Sequence, residues 1–225
     1  MDIDVNQVTA KDDKTVKQMV ADGKQFSLNI GTYVAMYAGY DKYYNGDVGA
    51  WIYLPKSVAG ACVMAYCDNY VATWMAPAGV QRGQITYTHG QLKKLTDNEV
   101  GELYINNINT SKNCGPAYGE CLYGQKTALK KNSSLNRINV RRCLNFIEKN
   151  LKYALEPYLF QQNTPNTRAS AKNVIDSFLN RVKAGEGILA YATSVTEDKD
   201  DPHIMNVSIK VLPAEAIEFI DVKIF

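Results

Sequence analysis

Between Arg137 and Tyr158 the apolar positions have a clear helical period. Val140, Leu144, Ile147, Leu151, Ala154 and Tyr158 follow at steps of four, three, four, three and four. That spacing puts them on one face of a helix. Pro157 is expected to end or kink it, because proline lacks a backbone N–H and crowds the preceding turn. Asn163–Thr167 reads as a turn. Thr167 is expected to cap a second helix carrying Ala171, Val174, Ile175, Phe178, Leu179 and Val182 on its apolar side, with Gly185-Glu186-Gly187 stopping it. The period then changes to two. Ile188–Val195 reads as a strand, and so does Ile204–Leu212, where Met205, Val207, Ile209 and Val211 alternate with Asn206, Ser208 and Lys210. Thr196–Pro202 (TEDKDDP) between them reads as a solvated acidic loop, and Pro213 breaks the second strand. Ile217–Phe225 alternates once more, with Ile220, Val222 and Ile224 set against Asp221 and Lys223, and Phe219 and Phe225 interrupting the polar side.

The first half is less regular. Residues 1–25 are polar, with a short helix expected at Asp13–Ala21. Tyr33, Met36, Tyr37 and Tyr40 have helical spacing and predict one buried helix face, broken by Asn45-Gly46-Asp47. Ala50–Leu54 reads as a buried strand closed by Pro55, and Ser57 as the N-cap of a helix over Val58–Cys67. Trp74–Gly83 is turn-rich and predicts a structured loop. Gln84–Thr88, Ile105–Ile108 and Cys121–Thr127 read as strands, and Lys130–Ser134 as a polar connector. Thr96 followed by Glu99 is the capping-box pattern, opening a helix over Asp97–Tyr104.

These elements predict an α/β (α+β) chain: a mixed β-sheet flanked by helices. The expected organisation is a polar segment at 1–25, a core domain at 26–212 and an extended strand or arm at 213–225. A strand running to the last residue presents unpaired N–H and C=O groups. The arm, through Ile217, Phe219, Ile220, Val222, Ile224 and Phe225, is therefore expected to pair with a neighbouring subunit.

Composition narrows the classes of function. The chain has 225 residues, 46% hydrophobic and 21% charged, with a formal net charge of +2. That is an ordinary globular composition with too little charge excess to indicate nucleic acid or an anionic membrane surface. No apolar run reaches the roughly 18 residues of a membrane helix, so no insertion is expected. Asp2, Asp4, Lys11, Asp12, Asp13 and Lys14 do not make a signal peptide. The five cysteines (Cys62, Cys67, Cys114, Cys121, Cys143) are odd in number and point to reduced thiols in a cytosol. The 15 tyrosines suit either interfaces or cores and strands.

Catalytic chemistry finds little support. The cysteine spacings are looser than those of zinc sites, and buried inert thiols explain them. His89 and His203 are isolated, and there is no Gly-x-Ser-x-Gly elbow. Gly115, Gly119 and Gly124 read as turn glycines rather than a phosphate cradle. No metal, cofactor or catalytic set is expected. Arg137, Arg141 and Arg142 surround a helix start, where they oppose the dipole and call for a partner. That partner is an acidic patch on another protein, or else the group is a solvated face with internal salt bridges. An α/β enzyme with an unseen site, a tyrosine-rich non-catalytic protein-binding module and a fragment of a larger assembly protein remain alternatives to a structural assembly protein.

Four strings carry a family resemblance: Val58-Ala59-Gly60 after a strand and proline, WMAPAGVQRG at Trp74–Gly83, RINVRRCLNF at Arg137–Phe146, and PAEAIEFI at Pro213–Ile220. In that order, over about residues 30–225, the chain resembles the C-terminal half of contractile tail sheath proteins of bacteriophages and related contractile injection particles. The resemblance implies a structural subunit of the virion tail, assembled in the host cytoplasm, that polymerises as hexameric rings in a helical stack around an inner tail tube protein. Such a sheath contracts to drive the tube through the host envelope, and it also meets a baseplate and a tail terminator. The resemblance further implies that terminal strands add to a neighbour's sheet, and that an inner helical face meets the tube, through Arg137, Arg141 and Arg142 or through Lys149 and Lys152. Sheath proteins are usually much longer, so a shortened or partial version is expected.

Overall fold

A computed structural model describes residues 16–26, 31–86 and 88–219. It divides into two compact units, one running to Arg141 and the other from Arg142 onward.

The first unit opens with helix α1 (Val16–Phe26). The segment after it is where the structure departs most from the sequence expectation. In place of the helix expected to carry Tyr33, Met36, Tyr37 and Tyr40 there are two strands, β1 (Met36–Tyr37) and β2 (Tyr40–Asn45). Tyr33, expected on a buried face, is 71% exposed. Asn45-Gly46-Asp47 is a hairpin turn, with Asn45 Oδ1 accepting from Asp47 N at 3.0 Å, and it leads into β3 (Ala50–Pro55). β2 and β3 pair antiparallel from Tyr40↔Pro55 to Asn45↔Ala50.

Helix α2 (Lys56–Tyr70) starts directly from β3. Its N-cap is Pro55 rather than Ser57, and no side chain caps it. Gly60 lets α2 meet Tyr37, since a Cβ there would stand 2.6 Å from Tyr37 Cζ. The loop expected at Trp74–Gly83 is present; among the described residues of the strand expected at Gln84–Thr88 there is only an isolated bridge, Gln84↔Cys121. Helix α3 (Asp97–Ile105) carries the complete Thr96–Glu99 capping box. It runs through Ile105, so the strand expected at 105–108 is confined to β4 (Ile108–Asn109). β5 (Ser111–Asn113) and β6 (Glu120–Leu122) form a short hairpin, and the strand expected over Cys121–Thr127 stops at Leu122. β1 pairs parallel with β4, both residues of each being buried. Val16, Met19, Val20, Met36, Ala38, Leu103, Ile108 and Ala128 form one core cluster; Tyr37, Ala59, Val63, Ile85 and Leu122 form another.

The motif at Trp74–Gly83 proves to be a packing device. Gly79 turns with φ +80°, and Gly83 N donates to Gly79 O at 2.7 Å. Gly79 N donates to Leu122 O at 2.9 Å, and Leu122 N to Gly83 O at 2.7 Å, fastening the loop to β6. Arg82 Nε reaches back to Ala76 O at 3.1 Å.

Helix α4 (Ile138–Leu155) crosses the boundary between the units, and a short 3-10 turn at Glu156–Tyr158 ends it around Pro157, as expected. Its buried face is Val140, Cys143, Ile147 and Leu151, with Leu144 half-buried. Helix α5 (Pro165–Ala184) follows. Thr164, not Thr167, is its N-cap: Thr164 Oγ1 accepts from Thr167 N at 3.2 Å, and Pro165 takes the first helical position. Ala171, Ile175, Leu179 and Val182 are buried, while Val174 is 37% exposed. The α5 stop places Glu186 rather than a glycine at positive φ (62°).

The expected α/β class is what the chain shows, with strands in both parallel and antiparallel pairs. Among the described residues they form four two-stranded sheets.

Candidate assembly surface

The longest sheet in the protein is the hairpin of β7 (Ile188–Glu197) and β8 (Met205–Pro213). It is paired in register from Ala190↔Leu212 to Glu197↔Met205, with a bulge after Ile188. The turn is more ordered than a solvated loop. Asp198 Oδ1 accepts from Asp200 N (3.0 Å) and Asp201 N (3.3 Å), and its Oδ2 from Asn206 Nδ2 (2.7 Å). These donors, the Asp200 amide foremost, hold the Asp198 carboxyl below the usual carboxylate range.

One face of the hairpin lies on α5. Tyr191 Oη donates to Asp176 O at 3.3 Å and Thr193 Oγ1 to Asp176 Oδ1, while Lys172 Nζ bonds Asp176 Oδ2. Toward the turn, Arg168 Nη1 pairs with Glu197 at 3.0 Å. The hydrogen bond from Lys172, then that from Thr193, lowers the Asp176 pKa. Along the strands, positions facing α5 are half-buried, while Ala190, Ala192, Ser194, Ser208, Lys210 and Leu212 are exposed. Among the described residues neither outer edge of this hairpin pairs with another strand. Packing on α5 supports the hairpin, and its edge backbone groups are of the kind a further strand can pair with.

Of the arm residues, Ile217 and Phe219 lie in the described part. They are 84% and 80% exposed, and residues 214–219 form no strand. Ile220, Val222, Ile224 and Phe225 lie outside the described residues.

The basic residues are dispersed along α4. Arg137 precedes the helix, half-buried, and bonds the Asn136 side chain. The Arg141 guanidinium lies 4.3 Å from the centroid of Tyr33, a cation–π contact, and Nη1 reaches Thr32 Oγ1 at 3.5 Å. Arg142 is half-buried. Lys149 and Lys152 are exposed, on a stripe with Asn145, Glu148 and Tyr153 opposite Cys143, Ile147 and Leu151. That contrast separates Arg137, Arg141 and Arg142, which are engaged within the chain, from the two lysines, which project outward.

None of the five cysteines forms a disulfide. Burial pushes Cys121 up to about 12 and Cys143 to about 11, so these thiols stay protonated. Cys62 is exposed and Cys114 half-buried. His89 is exposed with its ring 4.8 Å from Trp51, and His203 is exposed in the hairpin turn. Sequence reasoning missed the Asp176–Thr193–Tyr191 anchor; the Lys172/Asp176 helical pair was its only visible trace.

Among the described residues, then, the longest sheet is a hairpin that pairs with no further strand, followed by a segment that exposes Ile217 and Phe219. Residues 130–225 match the phage tail sheath C-terminal domain family. The chain is 34% identical over 218 residues to the tail sheath protein of Vibrio phage KVP40, covering 92% of this chain and 31% of that protein. It is 33% identical over 186 residues to the tail sheath protein of Enterobacteria phage T4, covering 80% of this chain and 28% of that one. Among solved structures, the sheath complex of an extracellular contractile injection system (PVC) in its contracted state superposes with a TM-score of 0.80 at 21% identity. That match covers 94% of this chain and 60% of that chain. The chain is thus similar to contractile tail sheath proteins, and it spans about a third of the length of the curated relatives it matches.

Proposed function

We propose that this chain is a structural, non-catalytic subunit of a contractile tail sheath, joined to its neighbours by strand exchange at the β7–β8 hairpin. The observation that carries the proposal is a two-stranded sheet followed directly by an exposed apolar segment. Among the described residues no other strand pairs with either edge of the hairpin, and the segment after it exposes Ile217 and Phe219 almost completely. In this proposal the segment from Ile217 onward of one copy adds to the hairpin of another, through main-chain hydrogen bonds that tolerate rotation of the joined bodies. The β7 side also offers Lys172 and Lys183 from the adjoining α5, a suitable charge for Glu215, Glu218 and Asp221 of an incoming segment. In this proposal the 213–225 arm is a linking element. The outward Lys149 and Lys152 on α4 are the groups that meet an acidic inner tube, rather than Arg137, Arg141 and Arg142. Self-assembly into rings around that tube, contact with a baseplate and a tail terminator, and a place in the virion after assembly in the host cytoplasm follow from the same role.

The test is a synthetic peptide of residues 214–225 titrated into the chain lacking Ile217–Phe225. The expected result is saturable binding, with new amide-exchange protection confined to β7 or β8. No binding, or protection elsewhere, would overturn the proposed acceptor.

A further inference from the structure

Within the first unit lies a polar cluster with no part in the assembly surface. Lys56, the first residue of α2, turns its ammonium group inward. Its Nζ bonds Asp41 Oδ1 on β2 and Ser111 Oγ on β5, and it stands 3.8 Å from Glu120 Oε1 on β6. Ser111 Oγ donates to Glu120 Oε1, and Gln91 Nε2 donates to the same oxygen and to Ser111 O at 2.8 Å. Asp41 is 0% exposed, Lys56 1%, Ser111 0% and Glu120 7%. Nothing from solution reaches such a site, so any chemistry here is between groups already inside.

A buried lysine against a buried aspartate, with a second carboxyl in reach, is the set of parts an amide-forming condensation needs. We propose that Lys56 Nζ and Asp41 Cγ join in an intramolecular isopeptide bond, with Glu120 as the proton carrier. Several observations support it. Burial raises the Asp41 pKa and lowers that of Lys56, favouring a neutral acid beside a neutral amine. Asp41 Oδ2 has no hydrogen-bond partner among the described residues, which disfavours a charged carboxylate there. Two groups held in contact react with effective concentrations of about 10⁵–10⁸ M. The product amide also removes two charges from a site where desolvating them is costly.

In the step, the Nζ lone pair attacks Asp41 Cγ. Glu120 accepts a proton from nitrogen and returns it to the leaving hydroxyl. The C–N bond forms, the C–O bond breaks, one water departs, and nothing is oxidised or reduced. The link would tie β2 to the start of α2 around the β2–β3 hairpin.

The experiment is the intact mass of the full chain, purified folded and denatured for spectrometry, with fragmentation of a protease digest. The expected result is a mass one water below the sequence value and a branched peptide joining Asp41 to Lys56. The full sequence mass overturns the proposal, as does water loss mapped elsewhere, such as a succinimide at Asp22-Gly23. Glu120→Gln, shown folded by circular dichroism, should retain the full mass; an undiminished linkage in that variant would remove Glu120 from the mechanism.

Discussion

Gly83→Ala tests whether the Trp74–Gly83 loop acts through packing. A Cβ at Gly83 would stand 2.8 Å from Gly79 N, Gly79 O and Leu122 O. Ordinary carbon contacts begin near about 3.5 Å, so roughly 0.7 Å of overlap must be relieved. All three atoms are backbone, and no rotamer change can move them. They also carry the Gly79 N to Leu122 O bond of 2.9 Å to β6 and the Gly83 N to Gly79 O bond of 2.7 Å inside the loop, which a shift of that size weakens severely. Overpacking costs typically about 1–3 kcal/mol and each weakened bond about 1 kcal/mol, so a loss of about 2–4 kcal/mol is expected. Both tryptophans, Trp51 and Trp74, lie in the same unit as Gly83. Urea unfolding followed by tryptophan fluorescence therefore reports on that unit, and its midpoint should fall by about 1–2 M. Two comparisons isolate the cause. Gly79→Ala, where φ is +80° but the space is open, should cost only about 1–2 kcal/mol. Gly101→Ala, inside α3 with nothing within 4 Å, should stabilise by about 0.5–1 kcal/mol. If Gly83→Ala matches the wild type, or is no worse than Gly79→Ala, the packing argument fails.

Thr164→Ala removes the α5 cap and should cost about 1 kcal/mol by thermal circular dichroism, with Thr164→Ser largely neutral. Asp176 has a folded pKa below its unfolded value of about 3.9, so its contribution is present above that value and fades as pH falls through the folded one. Asp176→Asn should therefore flatten the acid limb of the stability profile, seen as a smaller difference between near-neutral and acidic melts. Reversing the outward charges with Lys149→Glu and Lys152→Glu should leave the melt unchanged and weaken co-sedimentation with the inner tube; unchanged co-sedimentation would remove α4 from that contact.

The second unit was far more legible in the sequence than the first, for physical reasons. α4 and α5 are long helices with one buried stripe, so their period is averaged over many turns, and the β7–β8 alternation persists because one face packs while the other is exposed. In the first unit, β1 is two residues long with both residues buried, which erases alternation. Tyr33, Met36, Tyr37 and Tyr40 happen to match a helical spacing. Ser57 looked like a cap because serine is a preferred N-cap residue, but α2 starts directly from β3; Thr167 looked like one although Pro165 fits the first helical position only if Thr164 is the cap. The Lys56 cluster draws on Asp41, Gln91, Ser111 and Glu120, which no local pattern joins. The arm read as an apolar alternating segment, most of which lies outside the described residues, and that no other described strand pairs with β7 or β8 is a matter of tertiary structure that no local pattern carries.

The central claim is that copies are linked through 214–225. Negative-stain electron microscopy of the concentrated chain, beside the chain lacking Ile217–Phe225 and matched to it by circular dichroism, tests it most directly. The account predicts rings or tubes that vanish on truncation while the fold persists. Equal assemblies from the truncated chain, or dispersed particles from both, would contradict it.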